Sequence, residues 1–261
     1  AAQLLVASFF LLGVLLLSAP AGGHRLSLRS SGLRWYWFAL ASLGIGGYSV
    51  FFYEGIKHAG VGVGTAVAIG SSPIWAGLLQ LLVLQKSLPL LWWGGMLVSV
   101  IGGVAMVMRT DSSTAVSGFG IVMCLLAGLS YGGYALINKR LVSHMSPKVV
   151  NFYVFTGAAL FAIPVAWLKS GLPQWSLSAV LVVIYLGVVV SGIAHMLFSM
   201  GLCHISGPTG VALSLIEPLA AFFLAILIVG EHQPISAWVG VVCVLLGLMV
   251  IVRSETQRGS S

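Results

Sequence analysis

Between Gly207 and Val252 the chain reads GPTGVALSLIEPLAAFFLAILIVGEHQPISAWVGVVCVLLGLMVIV, two apolar runs parted by Gly230-Glu231-His232-Gln233-Pro234. Each run is long enough to cross about 30 Å of hydrocarbon as a helix. The first carries Glu217-Pro218 near its middle, a carboxylate and a helix breaker at membrane depth. Both are costly there and call for a reason.

The same stretch occurs earlier. Displaced by 145 positions without a gap, Gly207 falls on Gly62, Pro218 on Pro73, Pro234 on Pro89, Trp238 on Trp93, Gly240 on Gly95 and Gly247 on Gly102. Further upstream, Gly192 falls on Gly47. Shared hydrophobicity does not align prolines and tryptophans, so this is an internal repeat. A two-fold repeated membrane chain with broken helices is the usual build of a secondary transporter.

Composition agrees. Of 261 residues, 59% are hydrophobic and 7% charged, against roughly 25% charged in a soluble domain. The chain reads as an all-α, polytopic membrane protein. Its net charge of +7 belongs to loops that orient helices rather than to a nucleic-acid surface. Cys124, Cys203 and Cys243 lie in or beside apolar segments without CxxC spacing and read as packing residues.

Nine spans are expected, at roughly 3–20, 35–56, 62–84, 88–108, 118–138, 150–168, 177–200, 207–229 and 234–252. The first has neither the basic start nor the A-x-A site of a signal peptide and reads as a transmembrane helix. Residues 1–110 then form a first repeat of four helices and 118–253 a second of five, with 254–261 a disordered cytoplasmic tail. The mismatch leads to the expectation that a first helix of a five-plus-five design is missing. With the C-terminus inside, Arg25, Arg29, Arg34, Lys86, Lys139, Arg140, Lys148, Arg253 and Arg258 are cytoplasmic. Only Lys57, Arg109 and Lys169 lie outside, as the positive-inside rule requires. Units of five helices then insert upside down to each other, an inverted repeat suited to alternating access.

The spacing Pro218…Gly230-Glu231…Gly240…Gly247, echoed by Pro73…Lys86…Gly95…Gly102, resembles the EamA-type branch of the drug/metabolite transporter superfamily over essentially the whole chain. The first unit departs from the family pattern by carrying Lys86 where a glutamate is usual. The resemblance implies ten helices, export or exchange of small metabolites (often amino acids), and a central cavity lined by both halves. It also implies no enzymatic activity and no cofactor. A small-molecule substrate and the lipid bilayer are the expected partners; a proton and a second copy, as a homodimer, are left open. The expected location is the inner or plasma membrane.

Among candidate site residues Glu217 comes first. Pro218 removes a backbone donor and frees carbonyls of the preceding turn. The carboxylate beside them can hold a substrate ammonium group, take up a proton, or bond a neighbouring helix structurally. Ser214, Gly210 and Ser206 share its face, as a cavity wall or a packing seam. Ser191, His195 and Ser199 stand four apart on one face of the 177–200 helix. His195 can relay a proton or donate across helices. Ser72 is the repeat partner of Glu217, and Trp75 lies too deep for an interface belt. Tyr48, Tyr131, Tyr134 and Asn138 either pack or offer aromatic and polar faces to a substrate, including a cation. Gly62, Gly207, Pro73 and Pro218 are the expected bending and close-packing points.

Absences narrow the classes. No lysine or arginine is expected near the midplane, which argues against phosphate-bearing or dicarboxylate substrates. There is no Walker A motif, no HExxH and no GxSG, and Asp111 is the only aspartate. These weigh against ATP-driven pumps, intramembrane metalloproteases, diphosphate-using prenyltransferases and serine proteases. An uncoupled facilitator or channel remains the alternative to a coupled transporter. A membrane enzyme or scaffold is a third class, disfavoured by the few acidic residues.

Overall fold

The computed structural model describes residues 1–18, 34–107, 117–170, 176–230 and 233–259. Among the described residues all secondary structure is helical. The helices are α1 (Ala2–Leu17), α2 (Tyr36–Ala59), α3 (Val61–Leu82), α4 (Leu90–Val107), α5 (Gly118–Val142), α6 (Pro147–Ser170), α7 (Leu177–Gly201), α8 (Gly207–Ile228) and α9 (Ile235–Gly259). These nine follow the nine apolar segments of the sequence.

Six of them, α3 and α5 to α9, are long and apolar enough to cross a membrane. α1 and α4 are shorter apolar helices, and glycines and tyrosines dilute the hydropathy of α2. Large aliphatic side chains stand exposed along the helices, among them Leu177, Leu181, Val182 and Leu197 of α7. A surface of this kind is stable only against hydrocarbon. This is a multi-pass membrane protein.

One expectation changes. Residues 254–259 are not a disordered tail but continue α9 to Gly259. The reason is that Ser254 is buried and Glu255 is hydrogen-bonded to the start of α8. Pro73, expected as a bending and close-packing point, lies inside α3, which runs through it uninterrupted. Ser71 and Ser72 turn their hydroxyls back onto the Ala68 carbonyl, one turn before the proline. The Arg25 and Arg29 loop, Arg109, Asp111 and the Glu231-His232 turn lie outside the described residues.

The chain packs as two compact units, Ala1–Ser49 with Leu136–His204 and Val50–Ala135 with Ile205–Ser261. Neither follows 1–110 or 118–253, since each draws on both sequence halves. A helix buries its face against whichever surface fits it, not against its chain neighbour.

In the first unit α1 lies against α6 and α7. Ser8 and Thr156 hydroxyls meet at 2.6 Å, while Gly187 faces Val6 and Gly192 faces Phe10. Those glycines are five apart, the hydrogen-bonding step of the π-helical turns at Leu186–Ala194. Within the same unit Asn138 Nδ2 donates to Ser199 Oγ at 2.8 Å and Ser199 donates to Asn151 Oδ1 at 3.0 Å. All three residues are fully buried. Lys139 Nζ closes the end of α7 by donating to the Leu202 carbonyl at 2.6 Å.

In the second unit α4 and α9 cross antiparallel at close range. A Cβ on Gly95 would lie 2.8 Å from the Gly247 carbonyl oxygen, and one on Gly102 would lie 2.6 Å from that of Gly240. Between these contacts Ser99 Oγ reaches the Val244 carbonyl at 3.5 Å. In the repeat register Gly95 corresponds to Gly240, Gly102 to Gly247 and Ser99 to Val244. The outer pairs therefore exchange and the central pair is its own mate, the mark of a local two-fold axis. Other features recur at the same offset. Gly77 packs on Trp93, and its mate Phe222 meets Trp238 edge-to-face at 5.0 Å. The left-handed residues Gln85 (φ 52) and Gly230 (φ 73) are also mates.

Candidate functional site

The Pro218 ring cannot donate to the Ser214 carbonyl and crowds that turn. The helix responds by tightening. Ser214 N donates to Val211 O, Leu215 N to Ala212 O and Glu217 N to Ser214 O, at 2.9–3.1 Å, each three residues back. α8 is thereby divided into Gly207–Leu213 and a second helical stretch that starts at Ile216. Glu217 stands in the first turn of that second half, where a carboxylate complements the helix dipole.

Glu217 opens onto a cleft of about 230 Å³ inside the second unit. α3 contributes Gly62, Thr65, Ala66 and Ile69; α4 contributes Val100, Gly103 and Val104; α8 adds Leu215, Pro218 and Ala221. Apart from the Glu217 carboxylate and the Thr65 hydroxyl, the lining side chains are aliphatic or absent. No described residue ion-pairs or hydrogen-bonds with the carboxylate. Next to it the Tyr131 hydroxyl is hydrogen-bonded to Ser214 and lies within the field of the Glu217 charge. The arrangement offers one negative charge in an apolar setting, a holder for a small cation or a site for a proton.

Of the residues singled out from sequence, Glu217, Ser214, Tyr131, Pro218 and Gly62 come together here. Tyr134 is fully buried, with its ring 6.0 Å from that of Tyr131. Ser72 belongs to a packing seam, since a Cβ on Gly132 would lie 3.0 Å from its carbonyl oxygen. Trp75 is part-buried on α3, and its indole N–H has no hydrogen-bond partner among the described residues. Gly207 is buried as the first residue of α8, just after the N-cap Ser206.

The other candidates lie in the first unit. His195 Nδ1–H donates to the Val190 carbonyl at 2.9 Å, and the ring stands edge-on to Phe155 at 5.1 Å. Ser191 is buried, Ser199 and Asn138 are tied into the buried amide chain described above, and Tyr48 is half-buried on α2.

Sequence reading did not single out Thr65, Ala66, Ile69, Val100 or Val104. A signal existed for α3: Gly62, Ala66 and Gly70 recur every fourth residue, a small-residue stripe that leaves room beside the helix. For α4 nothing local separates lining valines from lipid-facing ones.

Comparison with known proteins places this geometry in a family. Residues 118–253 match the model of the EamA-like transporter family. The chain is 32% identical over 232 residues to the uncharacterized transporter YwfM of Bacillus subtilis (strain 168), covering 86% of this chain and 76% of that protein. It is 23% identical over 217 residues to the uncharacterized transporter YetK of the same organism, covering 80% of this chain and 65% of that protein. An uncharacterized transporter of Archaeoglobus fulgidus is 27% identical over 135 residues, 52% of this chain and 48% of that protein. A protein of known crystal structure shares the fold with a TM-score of 0.77 at 16% identity, covering 98% of this chain and 87% of that one. Matched over its second half by the family model and over most of its length by YwfM, the chain belongs to the EamA-like transporter family of the drug/metabolite transporter superfamily.

Proposed function

We propose that the chain is a secondary transporter that exports or exchanges small neutral, zwitterionic or cationic metabolites by alternating access. Amino acids and their amines are the first class to test. The observation that carries this reading is the Glu217 carboxylate, unpaired among the described residues, set at the break of α8 and facing a cleft lined otherwise by aliphatic side chains and the Thr65 hydroxyl. The lining fits an ammonium group on a small apolar body better than a zwitterion, whose carboxylate would meet no cation there. Two inverted repeats, 1–110 and 118–253, with the C-terminus cytoplasmic, would account for the exchanged contacts at the α4–α9 crossing and for the basic loops. Glu217 is the first proton-coupling candidate and His195 the second.

The test is uptake of labelled amino acids and their decarboxylated amines into liposomes containing the full-length protein, with and without an imposed pH gradient. Saturable uptake that a pH gradient drives uphill, and that Glu217→Gln abolishes or makes insensitive to pH, is the expected result. Flux that only follows the substrate gradient, unchanged in Glu217→Gln, would replace this reading with an uncoupled facilitator.

A further inference from the structure

We infer that Glu255 is a positioning residue for transport. Through Ser206 and Thr209 it anchors the N-terminal half of α8 to the α4–α9 pair, so that the half bearing Glu217 pivots at Ser214–Leu215. This rests on the reading of the Glu217 cleft as part of the transport path.

Glu255, near the end of α9, accepts three hydrogen bonds at the start of α8, and Trp92 adds a fourth contact there. Its Oε1 accepts from the Ser206 backbone N–H at 2.7 Å, and its Oε2 accepts from Thr209 Oγ1 at 2.7 Å and from Ser206 Oγ at 3.1 Å. Trp92 of α4, itself fully buried, donates from Nε1 to Thr209 Oγ1 at 3.1 Å. The carboxylate thus replaces water for donors that a helix start leaves unsatisfied, and these bonds are charge-assisted. Because α4 and α9 are locked together by the Gly95–Gly247 and Gly102–Gly240 contacts, the anchor is rigid.

The two halves of α8 differ as this requires. Gly207 to Ala212 are all buried. Beyond the break only Leu219 and Phe222 are buried, Phe222 against Trp238 of α9, while Ile216, Glu217, Ala220, Ala221, Phe223 and Leu224 are exposed. Between them lie only the three-residue-back bonds forced by Pro218, a natural pivot. Among the described residues the first repeat has no such anchor. There Val61 and Gly64 occupy the positions of Ser206 and Thr209, α3 is unbroken, and its N-cap Gly60 makes no side-chain cap bond. The cluster is therefore not a relic of duplication but a feature of α8 alone, the helix that carries the carboxylate.

The experiment measures backbone amide exchange of the full chain in proteoliposomes, together with uptake of the amine panel, for the parent protein, Glu255→Gln and Thr209→Val. In the parent, amides of 207–213 should exchange at least tenfold more slowly than those of 216–224. Glu255→Gln keeps size but loses one acceptor, and should speed exchange in 207–213 about tenfold while leaving α3 unchanged. Maximal flux should fall about tenfold with KM little altered, whereas Glu217→Gln acts on KM or on the pH response. Thr209→Val should reproduce the effect more weakly. Unchanged exchange in 207–213 for Glu255→Gln overturns the anchor whatever the flux. Faster exchange with parental flux also overturns it, leaving Glu255 a structural cap. Should the parent itself move no panel member, the amine reading fails and the exchange contrast alone decides the anchor.

Discussion

α4 contains two adjacent glycines whose surroundings differ completely, and they supply an internal control for the helix crossing. A Cβ on Gly94 would meet nothing within 4 Å, whereas one on Gly95 would lie 2.8 Å from the Gly247 carbonyl oxygen and 2.9 Å from Val250 Cγ1. Ordinary contact needs roughly 3.5 Å, so Gly95→Ala must part the two helices by about 0.7 Å. A gap of this order forfeits about a quarter of the dispersion attraction of the 40–60 atom pairs around such a contact, at ~0.1–0.2 kcal/mol each. The loss is roughly 1–3 kcal/mol, the ordinary cost of overpacking. The gain in helix propensity from Gly to Ala is common to both variants and cancels in their difference. Gly95→Ala should therefore be about 1–3 kcal/mol less stable than Gly94→Ala, a gap of roughly 2–12 °C in melting temperature at about 2–4 °C per kcal/mol. Thermal unfolding in detergent, followed by tryptophan fluorescence, measures it. Equal melting temperatures for the two variants would refute the close approach of α4 and α9, and with it the local two-fold geometry built on that crossing.

The buried chain Asn138–Ser199–Asn151 makes a second test. Ser199→Ala removes two hydrogen bonds between fully buried groups and should cost about 1–3 kcal/mol in the same assay; a loss below about 0.5 kcal/mol would show the chain to be incidental. Gln85 holds φ 52, where its repeat mate is glycine. Gln85→Gly should relieve strain and stabilise by up to about 1 kcal/mol, and destabilisation would show that Gln85 contributes contacts outweighing its backbone strain.

Much of the architecture was legible in the residues because membrane helices must satisfy their own backbone and present apolar surface over a set length. Helix number, approximate ends and the break at Pro218 followed from that requirement alone. Pro73 shows where the rule stops. It has the same residue at the same repeat position, yet α3 stays continuous, because serine hydroxyls and close packing on Gly128 and Gly132 support its turn. The end of α9 shows the converse, for a polar tail reads as disordered until Ser206 and Thr209 provide partners for Glu255.

The candidate site divides in the same way. A carboxylate beside a proline within an apolar run is visible in one dimension, as is the serine one turn before it. Which of them face one cleft is not. Thr65 and the lining valines are ordinary residues made into a wall by the packing of α3, α4 and α8, and His195 and Asn138 were drawn into the other unit's own contacts. The linear order of apolar runs, prolines and glycines determined a repeated helical membrane chain. Tertiary structure alone decided which faces met, because packing energy depends on distances between residues far apart in sequence.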